Sequence, residues 1–186
     1  SLNQYLSFEY VPAPRSMIQG VFKLRAGHVA TYHLGNFREH MYWDLVFDEE
    51  QSEHTSEEAW ANELRSCLEE VVSMEMVSDV PIGVFLSGGL DSSSVAAMMK
   101  TRPSGPVRSF TIGLEDPSFD ESKYARQTAD LLGTEHFEER IDERTVLDLM
   151  PNIGDILDEP LGDSSLVPTY LVSKFARKHI KVALGG

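Results

Sequence analysis

The residues with the clearest chemical role in this 186-residue chain lie between Val84 and Val95, in the segment VFLSGGLDSSSV. A short apolar run meets a Ser-Gly-Gly turn, which is followed by one aspartate and three serines. This order predicts a strand, a tight turn and the beginning of a helix. Adjacent glycines let the backbone bend freely, and the amides at a helix N-terminus favour bound anions. The segment therefore predicts a cradle for phosphate groups and chemistry on a nucleotide.

The charge of this segment separates it from another common phosphate-binding loop. A Walker A loop contains a lysine that reaches the β and γ phosphates, whereas no Lys or Arg lies between Pro81 and Met99 here. An aspartate repels a polyphosphate unless a divalent cation lies between them, and Mg²⁺ is usually held by one or two carboxylates with phosphate oxygens. Asp91 is thus a candidate Mg²⁺ ligand. It is equally a candidate N-cap for a helix over residues 92–100.

The elements that must position this loop follow from the hydrophobic pattern. The predicted strands cover residues 83–86, 107–114, 134–141 and 180–184, and the predicted helices cover residues 57–78, 92–100, 120–132, 143–158 and 168–179. This alternation predicts an α/β fold with a Rossmann-like parallel sheet flanked by helices. Ligands of such sheets bind beyond the carboxyl ends of the strands. We therefore expect the 87–93 loop, Gly113 at a strand exit, and Gly185 with Gly186 at one edge.

The first long predicted helix is amphipathic. Thr55 or Ser56 can cap it. Apolar side chains recur at helical spacing on one face, at Trp60, Leu64, Leu68, Val71 and Val72. Cys67 lies near that face, and we expect it to be a buried small residue rather than a nucleophile.

The segments before this helix have weaker signals. Residues 1–20 predict a short helix that Pro12 ends, and residues 21–32 and 37–42 have β character. Residues 48–53 predict an acidic, solvated linker.

Composition excludes several classes of function. The formal net charge of −14 argues against non-specific binding to nucleic acid or to an anionic membrane. No apolar run has the length of a membrane span, and the first residues do not resemble a signal peptide. The single cysteine allows no internal disulfide and is compatible with the cytoplasm, which is the predicted location.

Residues 87–93, SGGLDSS, resemble the S-G-G-x-D-S-S signature of the PP-loop ATP pyrophosphatases, which cleave ATP between its α and β phosphates. Four further segments resemble the synthetase half of the glutamine-hydrolysing asparagine synthetases, in the same order along the chain. They are LSFEYVPAPR at 6–15, FTIGL at 110–114, FDESKYA at 119–125, and DEP at 158–160 with DSS at 163–165. The resemblance covers nearly the whole chain.

This resemblance implies an ATP site across the carboxyl edge of an adenine nucleotide α-hydrolase-like sheet. Backbone groups near Phe85, Leu86, Ile112 and Gly113 would hold the adenine. The pyrophosphate group and its Mg²⁺ would be held by the loop and the neighbouring strand end, at Ser87, Gly88, Gly89, Asp91, Ser92, Ser93, Gly185 and Gly186.

The resemblance also implies a two-step reaction. The side-chain carboxylate of aspartate attacks the α-phosphorus of ATP, which gives β-aspartyl-AMP and pyrophosphate. Ammonia, supplied by glutamine hydrolysis, then displaces AMP and yields asparagine. ATP, aspartate and ammonia are thus the expected small-molecule partners.

A second polar cluster has two interpretations. Asp158 and Glu159 precede a proline, and Asp163, Ser164 and Ser165 follow a glycine. These groups can bind a metal or an amino-acid ammonium group, in which case Asp163 and Ser164 contact the substrate. The Asp-Ser-Ser run can equally cap the next helix.

Other polar residues have structural interpretations. Asp120 and Asp142 are expected to cap helices, and Gly133 is expected to end one. The histidines, at residues 28, 33, 40, 54, 136 and 179, show no spacing typical of metal ligands.

The resemblance also implies a domain organisation. Residues 1–50 would lead in from an upstream glutaminase domain, and residues 51–186 would form the N-terminal part of the synthetase domain, incomplete at its C-terminus. Catalytic groups are expected beyond Gly186, so the chain as given is expected to be inactive alone. A homo-oligomer is also a possible assembly.

Two other functions fit the same residues. One is a related acyl-adenylating amidotransferase or β-lactam-synthetase-like enzyme that activates a different carboxylate. The other is a nucleotide-binding module without catalysis, which would bind ATP and not turn it over.

Overall fold

The computed structural model describes residues 1–47, 56–102 and 105–186. The predicted linker at 48–53 lies outside these residues. The chain divides into two compact units. The smaller unit comprises Ser1–His54 and Leu149–Ser164, and the larger unit comprises Thr55–Asp148 and Ser165–Gly186.

The larger unit contains a four-stranded parallel sheet. Its strands are β3 (Ile82–Phe85), β4 (Arg108–Leu114), β5 (Glu135–Ile141) and β6 (Val182–Leu184), in the order β5-β4-β3-β6. Its helices are α2 (Glu57–Glu75), α3 (Leu90–Lys100), α4 (Ser122–Leu132), α5 (Glu143–Leu149, whose last residue belongs to the smaller unit) and α7 (Leu166–Ala176). The predicted α/β class is confirmed, because every strand pair in this sheet is parallel and helices connect the strands.

Both faces of this sheet are covered. On one face, Val84 and Leu86 pack with Ala96 and Met99 of α3 and with small residues of α4. On the other face, Phe110 stacks on Phe137 at a centroid distance of 5.1 Å and contacts Phe175 of α7 edge-on at 5.9 Å. β4 lies between β3 and β5, and β3 lies between β4 and β6, so these two are the central strands of the sheet.

The smaller unit begins with α1 (Leu2–Phe8) and a hairpin of β1 (His28–His33) and β2 (Asn36–Met41). A short 3₁₀ turn (Met150–Asn152) and α6 (Ile153–Ile156) complete its regular structure. The ammonium group of Lys23 donates to the carbonyl of Val11 at 2.6 Å and forms an ion pair with Glu159. This pairing ties the segment after α6 to the N-terminal segment.

The predicted caps are largely confirmed. The Ser56 hydroxyl accepts from the Ala59 amide at 3.2 Å at the start of α2, and the Asp142 carboxylate accepts from the Thr145 amide at 2.8 Å in α5. Gly133 ends α4 in the left-handed conformation. Asp120 is not the N-cap that was predicted for α4, since Glu121 occupies that position without a side-chain cap bond. The Asp120 carboxylate instead accepts from the Ser122 amide at 3.0 Å, one residue before the cap.

The apolar face of α2 is largely exposed, and the predicted burial of Cys67 is wrong. Trp60, Leu64 and Val71 are 48%, 62% and 49% exposed, and Cys67 is exposed rather than buried. Only Val72 is buried, because only the C-terminal part of α2 packs on the core formed with α3. Helical spacing identified the apolar side chains but not which of them meet a partner.

The predicted helix over 143–158 is also too long. Regular α-helix stops at Leu149, and the 3₁₀ turn follows. Pro151 explains the break, because proline has no amide hydrogen and disfavours helical backbone at the preceding residue. Gly113, predicted at a strand exit, lies buried within β4, paired with Arg140 of β5.

Truncation of the central aromatic residue tests this account of the core. We expect Phe110→Ala to lower the free energy of unfolding by about 3–5 kcal/mol, because it removes a fully buried ring and leaves a cavity. The control is Phe119→Ala, whose ring is 72% exposed. The free energies of unfolding are measured by urea denaturation. Equal losses in the two variants would contradict this account of the packing.

A half-buried histidine predicts a pH dependence. His136 Nδ1 lies 2.9 Å from the Ser109 hydroxyl, its Nε2 is buried without a partner, and burial lowers its pKa below the ordinary value of about 6.5. As pH falls through 6.5, the unfolded chain therefore takes up a proton before the folded one does, and stability falls. We expect His136→Gln to reduce the loss of unfolding free energy between pH 7.5 and 5.5. The exposed His33→Gln should leave that loss unchanged, and equal pH profiles for His136→Gln and wild type would refute the assignment.

Candidate functional site

The loop after β3 lies at the carboxyl edge of the sheet. Leu86 extends the strand pairing by one residue, since its amide donates to the Phe110 carbonyl at 2.9 Å. The Leu86 carbonyl accepts from the buried hydroxyl of Thr111. These two bonds fix the point at which the chain leaves the sheet. Ser87, Gly88 and Gly89 then make the turn, and α3 begins at Leu90.

Gly88 is held against the first turn of α4. Its φ is +81°, a backbone conformation that favours glycine. A Cβ at this position would lie 2.6 Å from the Tyr124 Cβ and 2.7 Å from the Ala125 amide nitrogen. The loop therefore requires glycine here on two grounds, conformation and space.

Hydroxyl groups close the loop internally. The Ser92 Oγ accepts from the Ser87 amide at 3.2 Å, lies 2.9 Å from the Ser87 Oγ, and donates to the Gly89 carbonyl at 3.3 Å. The Gly89 amide donates to the Ser87 Oγ at 3.2 Å. The backbone amides of the first helical turn, from Leu90 to Ser92, have no intrahelical acceptor and can bind an anion.

Asp91 does not cap the helix. The N-cap position belongs to Gly89, which makes no side-chain cap bond, and Asp91 is the acidic residue of the first turn. Its carboxylate is exposed and has no hydrogen bond or ion pair within the described residues. The N-cap interpretation of Asp91 is therefore wrong, and its role as a Mg²⁺ ligand stays a prediction. The described residues contain no cluster of three or more His, Cys, Asp or Glu side chains suited to a metal.

The end of β6 reaches the same place. Gly185 and Gly186 follow Leu184, and a Cβ on Gly186 would lie 2.4 Å from the Ser92 amide nitrogen and 2.5 Å from the Asp91 carbonyl carbon. The backbone of residue 186 therefore packs directly on the N-terminus of α3. Sequence reasoning placed both glycines at the edge, and the structure brings Gly186 to the start of α3, whereas a Cβ on Gly185 would meet nothing within 4 Å.

The residues expected near an adenine lie on the two central strands. Phe85 is half-buried and packs with the aromatic cluster around Phe110, so its side chain is part of the core. Leu86 is buried against the opposite face. Ile112 and Gly113 lie on β4, beyond the residue that pairs with Phe85. The role of their backbone groups in holding an adenine stays a prediction.

Asp163 and Ser164 belong to the smaller unit, whereas Ser165 and the loop belong to the larger one. Ser165 occupies the N-cap position of α7 without a side-chain cap bond, so the predicted hydroxyl cap is not formed by that residue. Glu159 is engaged by Lys23 and also accepts from the Met17 amide at 3.3 Å. Its charge is therefore already balanced by a side chain of the same unit.

Sequence reasoning missed the residues that hold the loop from outside. Thr111 anchors Leu86, and the backbone at Tyr124 and Ala125 supports Gly88. Asp120 accepts from the Leu114 amide at 3.3 Å as well as from Ser122, which joins the end of β4 to α4. Hydrogen bonding to the Ser122 hydroxyl lowers the pKa of Asp120. Three of these residues lie in the FDESKYA segment at 119–125, whose spacing predicts the start of a helix but not its contact with the loop.

The contact at Gly88 predicts a specific sensitivity. We expect Gly88→Ala to lower the free energy of unfolding by about 1–3 kcal/mol more than Gly133→Ala does. Both glycines have positive φ, but a Cβ at Gly133 would meet nothing within 4 Å, so the difference isolates the steric contact. Equal losses in thermal or urea denaturation would show that α4 does not confine the loop.

Among the described residues, no helix combines the length and the apolar character that a bilayer crossing requires.

Comparison with known proteins places these features in a family. Asparagine synthetase [glutamine-hydrolyzing] 1 of Bacillus subtilis is 36% identical over the whole of this chain, which covers 29% of that protein. A putative asparagine synthetase [glutamine-hydrolyzing] 2 of Methanocaldococcus jannaschii is 35% identical over 98% of the chain and 35% of its own length. Amidase chry2 of Gibberella zeae is 32% identical over 80% of the chain and 24% of its own length. The chain therefore spans about a third or less of these relatives.

A sequence profile described as asparagine synthase matches residues 63–186. This range includes the loop, all four strands of the parallel sheet and the glycines after β6. The chain belongs to the asparagine synthase family.

Proposed function

We propose that this chain forms the ATP-cleaving part of an enzyme that converts aspartate to asparagine. The observation that carries the proposal is the preformed loop at the carboxyl edge of the sheet. It offers helical amides that have no acceptor within the helix, beside an exposed carboxylate that has no partner among the described residues. Family membership and the names of the relatives support the same reaction.

The residues of the loop have distinct tasks in this reaction. Backbone amides from Leu90 to Ser92 would bind the β and γ phosphates, which leave together as pyrophosphate. The strand ends at Phe85 and Gly113 would hold the adenine through backbone groups. This arrangement fixes the α-phosphorus beside the site where the aspartate carboxylate attacks. Ammonia then displaces AMP from the acyl carbon.

The donor set fits a magnesium ion. Asp91 provides one carboxylate beside amides that bind phosphate, and Mg²⁺ typically takes one or two carboxylates together with phosphate oxygens. The absence of a basic residue between Pro81 and Met99 leaves the phosphate charge to be balanced in another way. When bound, Mg²⁺ would neutralise negative charge on the leaving pyrophosphate.

Several wider features remain part of the proposal. We place residues 1–50 as the lead-in from a glutaminase domain and residues 51–186 in the synthetase domain. Asp163 and Ser164 are proposed to contact the amino-acid substrate. Further catalytic groups, the glutamine-derived ammonia, the homo-oligomer and the cytoplasmic location are proposed for the full-length protein.

Pyrophosphate release by the full-length protein tests the reaction. With Mg-ATP and ammonia, release should depend on aspartate and should match the asparagine formed. Because one relative is named an amidase, other carboxylic acids should be assayed in parallel. ATP binding without release for any carboxylate would contradict the proposed reaction and favour a module that only binds nucleotides.

Asp91→Asn tests the role of the carboxylate. We expect pyrophosphate release to fall by about 100-fold or more, since charge stabilisation by a bound metal is worth several kcal/mol. The free energy of unfolding should stay near that of wild type, because the carboxylate has no partner in the described residues. Titration of the metal-dependent binding of ATP should show a higher Mg²⁺ requirement.

The matched control is Asp79→Asn, which removes an exposed carboxylate before β3. It should change neither release nor the Mg²⁺ requirement. Wild-type activity in Asp91→Asn would exclude this carboxylate as a metal ligand.

A further inference from the structure

The serines of this region are not equivalent. Ser92 is 6% exposed and its hydroxyl meets three atoms of the loop. The Ser94 hydroxyl donates to the Leu90 carbonyl at 2.8 Å, within the helix. Ser93 is half-buried, and its hydroxyl has no hydrogen-bond partner among the described residues. A family signature shows these positions as one run of similar residues, whereas the structure separates them.

The bonding capacity of Ser92 is used inside the loop. A serine hydroxyl has one proton and two lone pairs. The Ser87 amide occupies one lone pair. The proton goes either to the Gly89 carbonyl or to the Ser87 Oγ, both of which lie within reach. In either arrangement Ser92 retains no proton for a phosphate oxygen.

We propose that Ser92 is a positioning residue that holds the loop in its binding shape, and that Ser93 supplies the serine hydroxyl that contacts phosphate. The identity of the ligand rests on the proposed function. The role of Ser92 in the ligand-free loop does not, because the hydrogen-bond partners of its hydroxyl are Ser87 and Gly89.

This assignment follows from the shape of the turn. The chain has only three residues, Ser87 to Gly89, between the sheet and α3. Ser92 bridges the first and last of them from the third residue of the helix. Removal of the hydroxyl leaves the Ser87 amide without its acceptor and frees the Ser87 side chain that accepts from Gly89. These hydrogen bonds of the Ser92 hydroxyl, which we call the brace, therefore set the direction of the backbone amides of Ser87 and Gly89.

Hydrogen exchange of backbone amides in the ligand-free, full-length protein tests whether Ser92 holds the loop in shape or only contacts a ligand. We expect Ser92→Ala to accelerate exchange of the amides of residues 87 and 89 by roughly 3- to 10-fold, the loss expected for one hydrogen bond. The matched control Ser93→Ala should leave both rates within experimental error. Ser92→Thr, which restores a hydroxyl, should recover most of the protection.

Ser87→Ala provides a second route to the same network. It should expose the amide of Gly89, which loses its acceptor, and leave the amide of residue 87 protected by Ser92. Three results would each overturn the positioning role of Ser92. They are unchanged exchange in Ser92→Ala, equal acceleration in Ser93→Ala, and faster exchange of the amide of residue 87 in Ser87→Ala.

Calorimetric measurement of magnesium pyrophosphate binding tests the second part of the proposal, the contact between the Ser93 hydroxyl and phosphate. Ser93→Ala should weaken binding by about 10-fold or more, as expected for a lost hydrogen bond to a charged group. Ser94→Ala, whose hydroxyl is bound within the helix, should bind as wild type does. Unchanged affinity in Ser93→Ala would refute its role as a ligand. A wild-type protein that does not bind this probe would contradict both that role and the proposed function, while the exchange rates would still decide the role of Ser92.

Discussion

The close contact between the loop at Gly88 and the first turn of α4 is the constraint on which the geometry of the site depends. At Gly88 the backbone has positive φ and no room for a side chain beside Tyr124 and Ala125. The position of α4 is in turn fixed by Asp120, which accepts from the end of β4 and from the start of the helix. The loop is thus shaped from outside by α4 and from inside by Ser92. A backbone confined on both sides can present its amides to an anion without first becoming ordered.

Strand β4 links this local geometry to the stability of the larger unit. Phe110 fills the core on one face of the sheet. The hydroxyl of Thr111, the next residue in β4, donates to the Leu86 carbonyl. The same strand ends at Leu114, and the amide of Leu114 donates to the Asp120 carboxylate. Core packing and site geometry therefore share one element. This explains why the loop can be short, because the neighbouring strand supplies hydrogen bonds that hold it in place.

Much of the fold and the location of the site could be predicted from the sequence. Alternating strands and helices gave the parallel sheet, and the Ser-Gly-Gly-Leu-Asp-Ser-Ser run located the loop. Hydrophobic periodicity could not tell that the Trp60 side of α2 stays exposed, because burial depends on which elements pack against a helix. Nor could it separate Ser92 from Ser93. Residues of one type at adjacent positions differ only in where the folded chain points their hydroxyls, and that depends on contacts with Ser87 and Gly89.

The central claim is that this loop holds ATP while a carboxylate attacks the α-phosphorus. The most direct test uses aspartate labelled with ¹⁸O in its side-chain carboxylate, with the full-length protein, Mg-ATP and ammonia. Attack on the α-phosphorus predicts that one labelled oxygen appears in the AMP released, because the acyl–oxygen bond breaks when ammonia displaces it. Formation of asparagine with unlabelled AMP, or of ADP in place of AMP, would contradict the account.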